Sequence, residues 1–177
     1  MIVLVGASAS GKTELSKILF SAYGYKKVIT TTTREKRAHE TDDIDYHFLT
    51  KAQFESGIAS NAFYEVTIYQ DHYYGIMKKD VIENGLVIVD PNGANTLVEQ
   101  ANDIYVVYIE ASEALRMTRM KQRGDDQSLI EKRIQGDRRT FDLKAFTKID
   151  LHIYNESVSL ESLAETIDTH YKNRLKG

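Results

Sequence analysis

Apolar residues fall along this chain in two rhythms. At the start, Ile2, Val3, Leu4 and Val5 form an unbroken, mostly β-branched run, the mark of a short strand buried on both faces. Past residue 12 the rhythm changes. Leu15, Ile18, Leu19 and Ala22 recur at the i, i+3, i+4, i+7 spacing, which puts them on one face of a helix over 12–23. The contrast repeats down the chain: apolar runs predict strands at 27–31, 86–89, 104–109 and 151–154, separated by helical stretches at 98–102, 113–121, 129–141 and 160–172. Ser112 before Glu113, and Ser159 or Ser157 before Leu160, supply N-caps, because a short hydroxyl accepts from the free amides of a first helical turn. Strands alternating with helices build a parallel sheet covered by helices on both faces.

One stretch breaks the alternation. Residues 32–76 are polar and aromatic, with tyrosines at 46, 64, 69, 73 and 74. That is too long for a structureless loop in a compact domain, so it reads as an insert with short strands and one helix over 51–59. The chain of 177 residues suits one domain. It has no cysteine, which excludes disulfides and thiolate metal sites and suits a reducing compartment. Its apolar runs are too short to span a bilayer, and the first of them is a strand rather than a signal peptide. The expectation is a cytoplasmic protein with no membrane partner. The 23 Lys and Arg against 26 Asp and Glu leave a net charge of −3, which argues against nucleic acid as a ligand. An anionic substrate must therefore meet local clusters, and two exist: Arg34, Lys36 and Arg37, then Arg116, Arg119, Lys121 and Arg123. Arg116 and Arg119 read as charges on a helix face. The histidines at 39, 47, 72, 152 and 170 show neither metal-ligand spacing nor triad logic.

Between the first strand and the first helix lies Gly6-Ala7-Ser8-Ala9-Ser10-Gly11-Lys12-Thr13, which is GxxxxGK[ST] in the strand–loop–helix setting that a phosphate-binding loop needs. Gly6 and Gly11 let the backbone turn its N–H groups toward an anion, and the helix N-terminus adds partial positive charge. Lys12 would reach the β- and γ-phosphates of a nucleoside triphosphate, and the Thr13 hydroxyl would ligate Mg2+. A ligand-free glycine turn leaves Lys12 and Thr13 unexplained. Further on, Arg34 and Arg37 lie three apart, with Tyr46 nine residues later, and guanidinium groups bind phosphate as bidentate forks. A buried carboxylate such as Glu65 is the expected reader of guanine, because it accepts from both N1–H and the exocyclic amine.

The full set of motifs resembles the guanylate kinase family along nearly the whole chain: the phosphate loop, Thr32-Thr33-Arg34 with Arg37 and Glu40, Asp45-Tyr46-His47-Phe48, Phe63-Tyr64-Glu65, Tyr73-Tyr74-Gly75, Asp90-Pro91-Asn92-Gly93, and an arginine-rich lid from Arg119 to Gly124 with Arg133. The resemblance implies a three-layer α/β/α P-loop kinase fold with a parallel central sheet, a small mixed α/β monophosphate-binding insert and a helical lid. It implies one domain over 1–177: core 1–31, 77–115 and 142–177, insert 32–76, lid about 116–141. It assigns Arg34, Arg37, Tyr46 and Tyr74 to the GMP phosphate, Glu65 and Thr30 to the base, and Asp90 to a place near the nucleotide and Mg2+, with metal contact through water. Arg123 and Arg133 fall on lid positions that neutralise the transferring phosphoryl group, and Asn155 on the turn beside the ATP base. Departures stand at Lys36 for a proline, His39 for a glycine, Ile76 for a hydroxyl residue, Ile88 for the first acid of a pair, and one residue missing after Gly124.

The implied reaction is ATP plus GMP giving ADP plus GDP, with Mg2+ accompanying ATP and dGMP as a further possible acceptor. Catalysis rests on alignment and charge neutralisation by Lys12, Arg34, Arg37, Arg123 and Arg133, with no general base. Two other readings stand beside it. Ribose 1,5-bisphosphate kinases look similar and share the YG-Ile step, so another acceptor is one alternative. A non-catalytic domain that binds phosphopeptides is the other, although Lys12 and Thr13 speak against it. The expected assembly is a monomer or homodimer.

Overall fold

Strand Ile2–Val5 is wholly buried because both of its faces are covered. Ile2 and Leu4 pack with Leu15, Leu19, Ile167 and Tyr171 on one side, while Val3 and Val5 pack with Leu97, Val106 and Tyr108 on the other. A period of two sends alternate side chains to opposite faces, so an unbroken apolar run is what a central parallel strand requires. The computed structural model describes residues 1–36, 40–69 and 71–176. In chain order its elements are β1 (Ile2–Val5), α1 (Lys12–Tyr23), β2 (Lys26–Lys27), β3 (Thr31–Thr32), β4 (His47–Phe48), α2 (Lys51–Ala59), β5 (Phe63–Tyr69), β6 (His72–Met77), β7 (Gly85–Ile88), α3 (Pro91–Gln100), β8 (Tyr105–Glu110), α4 (Glu113–Gln122), α5 (Gln127–Thr140), β9 (Leu151–Tyr154) and α6 (Leu160–Arg174). The central sheet has the order β2-β7-β1-β8-β9 and every pairing in it is parallel. Helices α1 and α6 cover one face and α3 the other. Among the described residues no helix is long and apolar enough to cross a membrane.

A second, four-stranded sheet of order β4-β3-β6-β5 mixes one parallel pairing with two antiparallel ones. Helix α2 is nucleated by a capping box between Thr50 and Gln53 and buries Phe54 against this sheet. The Phe54 ring stacks on Phe63 at 4.4 Å and on Tyr73 at 5.2 Å. Gly57 lets these rings approach, since a Cβ there would meet Phe63 at 2.6 Å. Tyr64 and Ile76 reach into the α3-side core, and Lys27 of β2 donates to the carbonyls of Ile44 (2.9 Å) and Asp45 (3.1 Å), tying the two sheets together.

Three sequence expectations change. The strand at 27–31 is two: Lys26–Lys27 pairs with β7, while Thr31–Thr32 has crossed into the second sheet. A β-branched run reports strand propensity, not the partner it will find. The helix expected at 98–102 is Pro91–Gln100, started by Asp90, whose carboxylate accepts from the Gly93 N–H, with Pro91 in the first turn. The helix expected from 129 begins at Gln127, because Asp126 caps it through the Ser128 N–H.

Candidate active site

The loop between β1 and α1 holds its shape through glycines that no other residue replaces. Gly6 (φ 148°) and Gly11 (φ 107°) sit at positive φ; a Cβ on Gly6 would lie 2.2 Å from the Ile109 carbonyl oxygen, and one on Gly11 2.1 Å from Asn155 Nδ2. Helix α1 has no side-chain cap, so its first amides stay available to an anion. The Lys12 ammonium folds over the loop and donates to the carbonyls of Gly6 (2.6 Å) and Ala7 (2.9 Å). Burial lowers its pKa from 10.5 to about 8, opposed by the negative charge of Asp137.

A cavity of about 480 Å³ opens beside the loop, walled by Gly11, Lys12, Thr13, Arg119, Arg123 and Asn155 among others. Asn155, at the end of β9, is buried and its Nδ2 donates to the Ser10 carbonyl at 2.8 Å, so it braces the loop as well as lining the cavity. Arg119 was expected on an outer helix face; its guanidinium instead turns inward and donates to the Ala9 carbonyl, the Asn155 carbonyl and Asn155 Oδ1, each at 3.2 Å. Arg116 also turns inward, with only 4% of its surface exposed, and pairs with Asp137 at 2.6 Å. Arg123 lines the cavity but is held by Asp125 through Nε (3.0 Å) and Nη2 (2.6 Å). Arg133 binds the same carboxylate at 2.9 Å. The two guanidiniums hold the Asp125 carboxyl below its ordinary range, Arg123 most strongly.

Across the loop, a cleft of about 560 Å³ runs between the two sheets, lined by Thr13, Thr30, Lys27, Glu40, Tyr46 and Ile88 among others. Thr13 belongs to the walls of both spaces, so they meet at the first turn of α1. The Arg34 guanidinium pairs with Glu40 at 2.6 Å, stacks over the rings of Tyr46 (5.5 Å) and Phe48 (5.7 Å), and donates toward the Tyr74 hydroxyl. Tyr46 meets Tyr74 edge to face at 6.3 Å. Three of the residues expected at an acceptor phosphate are thus brought together. Arg37 lies outside the described residues, as does His39.

Glu65 on β5 is half-buried, and burial, with the charge of Asp90 as a second cause, raises its pKa from 4.5 to about 7. Asp90 itself is exposed and commits one oxygen to the cap of α3 at 2.8 Å. Ile76 lies opposite Glu65 in the strand register but sends its side chain into the α3-side core, where 1% of it is exposed. Arg116 and Arg119, expected as charges on a helix face, instead donate to the loop, and Asp137, which carried no signal in the sequence, joins them there. Arg116, Arg119 and Arg123 follow the i, i+3, i+7 spacing of one helix face, a periodicity that polar residues share with apolar ones when a site rather than a core covers them.

The guanylate kinase family model matches residues 1–170 of this chain. The chain is 35% identical over 170 residues to the guanylate kinase of Onion yellows phytoplasma (strain OY-M), covering 90% of this chain and 79% of that one. It is 30% identical over 170 residues to the guanylate kinase of Latilactobacillus sakei subsp. sakei (strain 23K), covering 89% and 82%. The crystal structure of guanylate kinase from Anaplasma phagocytophilum shares the fold with a TM-score of 0.68 at 19% identity, over 98% of this chain and 85% of that one.

Proposed function

The chain belongs to the guanylate kinase family, and from that premise we propose how its own residues carry out the ATP-dependent phosphorylation of GMP. The observation that carries the reading is Thr13 standing in the walls of both spaces, with Lys12 beside it. The cavity under Arg119 and Asn155 takes the adenosine end of ATP, with the phosphates on the amides of Gly6 to Thr13. The cleft between the sheets takes GMP, its phosphate on Arg34, Arg37, Tyr46 and Tyr74 and its base against Glu65 and Thr30. On this reading the insert is 32–76 and the lid about 116–141, with the core made of the remainder.

Lys12 unfolds from the Gly6 and Ala7 carbonyls onto the β- and γ-phosphates, exchanging two carbonyl contacts for ionic ones. Arg34 and Arg37 hold the acceptor phosphate in line, and its own charge makes it a nucleophile without a base. Arg123 and Arg133 leave Asp125 to meet the transferring charge. Mg2+ fits this donor set: the exposed Thr13 hydroxyl makes no hydrogen bond among the described residues, and a magnesium ion takes few protein oxygens when nucleotide phosphates and water complete its shell. When bound, it would neutralise phosphate charge as a Lewis acid. Asp90 would help to hold it through water, with the oxygen not committed to Gly93. The absence of cysteine is in keeping with work in the reducing cytoplasm.

The test is an ADP-release assay across GMP, dGMP, AMP, UMP, CMP and ribose 1,5-bisphosphate. GMP should lead, with Lys12→Met and Arg37→Met each losing at least about 100-fold in kcat at unchanged circular dichroism. Transfer that survives Lys12→Met overturns the assignment to this loop.

A further inference from the structure

The apex of the phosphate loop, Ser8-Ala9, is gripped by the two lid helices. Asp137 of α5 accepts from the Ser8 N–H at 2.9 Å through Oδ2 and from the Ser8 hydroxyl at 3.3 Å through Oδ1. Arg116 of α4 donates to that same Oδ2 at 2.6 Å and to the Ser8 carbonyl at 3.2 Å. Ala9, held at φ 60°, packs against Met120, Ile130 and Ile134 of the same two helices. Lys12 completes the contact, its ammonium 6.0 Å from the ring centre of Phe141 at the end of α5.

The pair differs from the exposed ion pairs that Asp125 makes on the lid. The side chains of Arg116 and Asp137 are only 5% and 11% exposed, whereas Arg123 and Arg133, on Asp125, are 49% and 47% exposed. A buried pair cannot trade partners freely, because separating it leaves a desolvated charge on each side. It also spends a main-chain amide: Ser8 N–H belongs to the loop whose amides collect phosphate, yet its partner is a carboxylate of the protein. A purely stabilising contact between α4 and α5 has no need of that amide.

We propose that Arg116 and Asp137 are a positioning pair for phosphoryl transfer, fixing the Ser8-Ala9 apex of the phosphate loop to the lid helices so that loop and lid present the γ-phosphate as one body. Arg116 holds the carboxylate, and the carboxylate holds the loop. Neither residue touches substrate. The inference rests on the kinase reading above and adds a component to it. Misplacement of reacting groups by about 1 Å costs on the order of 100-fold in rate, so a loosened apex should slow transfer while leaving the binding surfaces intact.

The discriminating variant is Arg116→Met/Asp137→Leu, which removes both charges together and so avoids leaving either buried alone; Asp137→Asn, which keeps an oxygen for the Ser8 amide, is measured beside it. The double variant should melt within a few degrees of the parent, lose about 10- to 100-fold in kcat and keep its KM values for ATP and GMP within about threefold. Asp137→Asn should recover part of that loss. Amide hydrogen exchange without substrate supplies a second readout: the Ser8 amide should exchange at least about tenfold faster in the double variant. A well-folded double variant with parental kcat overturns the proposal, and so does unchanged exchange at Ser8. A parent chain that transfers nothing to GMP would instead refute the kinase reading, and the exchange comparison would still decide the anchor.

Discussion

Replacing Glu65 by glutamine should make this protein more stable at pH 8 and, on the proposed function, weaken its hold on guanine. Burial first, and the charge of Asp90 second, raise the Glu65 carboxyl from 4.5 to about 7. The neutral acid is therefore favoured in the folded state, and ionising it there costs about 3 kcal/mol, at about 1.4 per pH unit. Water reaching a half-buried group reduces that to roughly 2 kcal/mol. The sign follows from proton uptake. Between pH 4.5 and 7 the folded chain holds a proton on Glu65 that the unfolded chain has released, so the parent loses stability from this group as pH rises through that window. Glu65→Gln does not titrate. The variant's advantage in urea unfolding should be near zero at pH 4, grow to roughly 2 kcal/mol by pH 7 and stay level above it. GMP supplies the complementary test: N1–H and the exocyclic amine stabilise the carboxylate, so binding at pH 7 should release about half a proton, read by calorimetry in buffers of different ionisation heat. Glu65→Gln should release none from this group. A stability difference independent of pH, or proton release unchanged in the variant, would refute the argument.

Two further predictions concern opposite ends of the site. Arg119→Met removes a guanidinium that spans the Ala9 carbonyl and Asn155; at about 1.5–3 kcal/mol for a charged hydrogen bond, KM for ATP should rise roughly 10- to 100-fold with a much smaller change for GMP, and equal effects on both substrates would show that the residue does not belong to the ATP side. Phe54→Ala empties a fully buried ring site between Phe63 and Tyr73 and should cost about 3–5 kcal/mol. Because that ring holds α2 against the second sheet, calorimetry should show GMP binding weakened more than ATP binding.

What could be read from the chain alone was whatever is local. The phosphate loop is contiguous, its glycines are forced by close approach, and the strand before it and helix after it carry unambiguous periods, so Gly6 to Thr13 were legible residue by residue. Arg34, Tyr46 and Tyr74 were legible only as members of a motif set. Their convergence depends on β3 pairing with β4 on one side and β6 on the other, which no local pattern reveals. The grip of Asp137 on Ser8 spans 129 residues of sequence. A lone aspartate on a polar helix face has no signature until the loop it meets is placed. Asp90 was placed near the nucleotide by resemblance; its first employment proves to be local, as the cap of α3.

The arginines around the site also differ in what they can do, and the difference follows from their partners. Each described one is already held by a carboxylate or carbonyl: Arg34 by Glu40, Arg116 by Asp137, Arg119 by Ala9 and Asn155, Arg123 and Arg133 by Asp125. Substrate phosphates must therefore either replace these partners or approach beside them. Replacement is cheap where solvent screens the pair and both ends remain hydrated when parted, which describes Arg123 and Arg133 on the lid. It is costly for Arg34 and Glu40, whose side chains are 15% and 9% exposed, so that pair should stay joined while the guanidinium edge near Tyr46 and Tyr74 meets the acceptor phosphate. Burial thus sorts a charge-rich surface into two groups. On the proposed function, Arg34 and Arg116 should keep their carboxylates, and Arg123 and Arg133 should give theirs up when ATP arrives. Salt offers the check: raising ionic strength should weaken ATP binding in the parent through the exposed lid arginines, and an Arg123→Met/Arg133→Met variant should lose most of that salt dependence while GMP binding keeps its own.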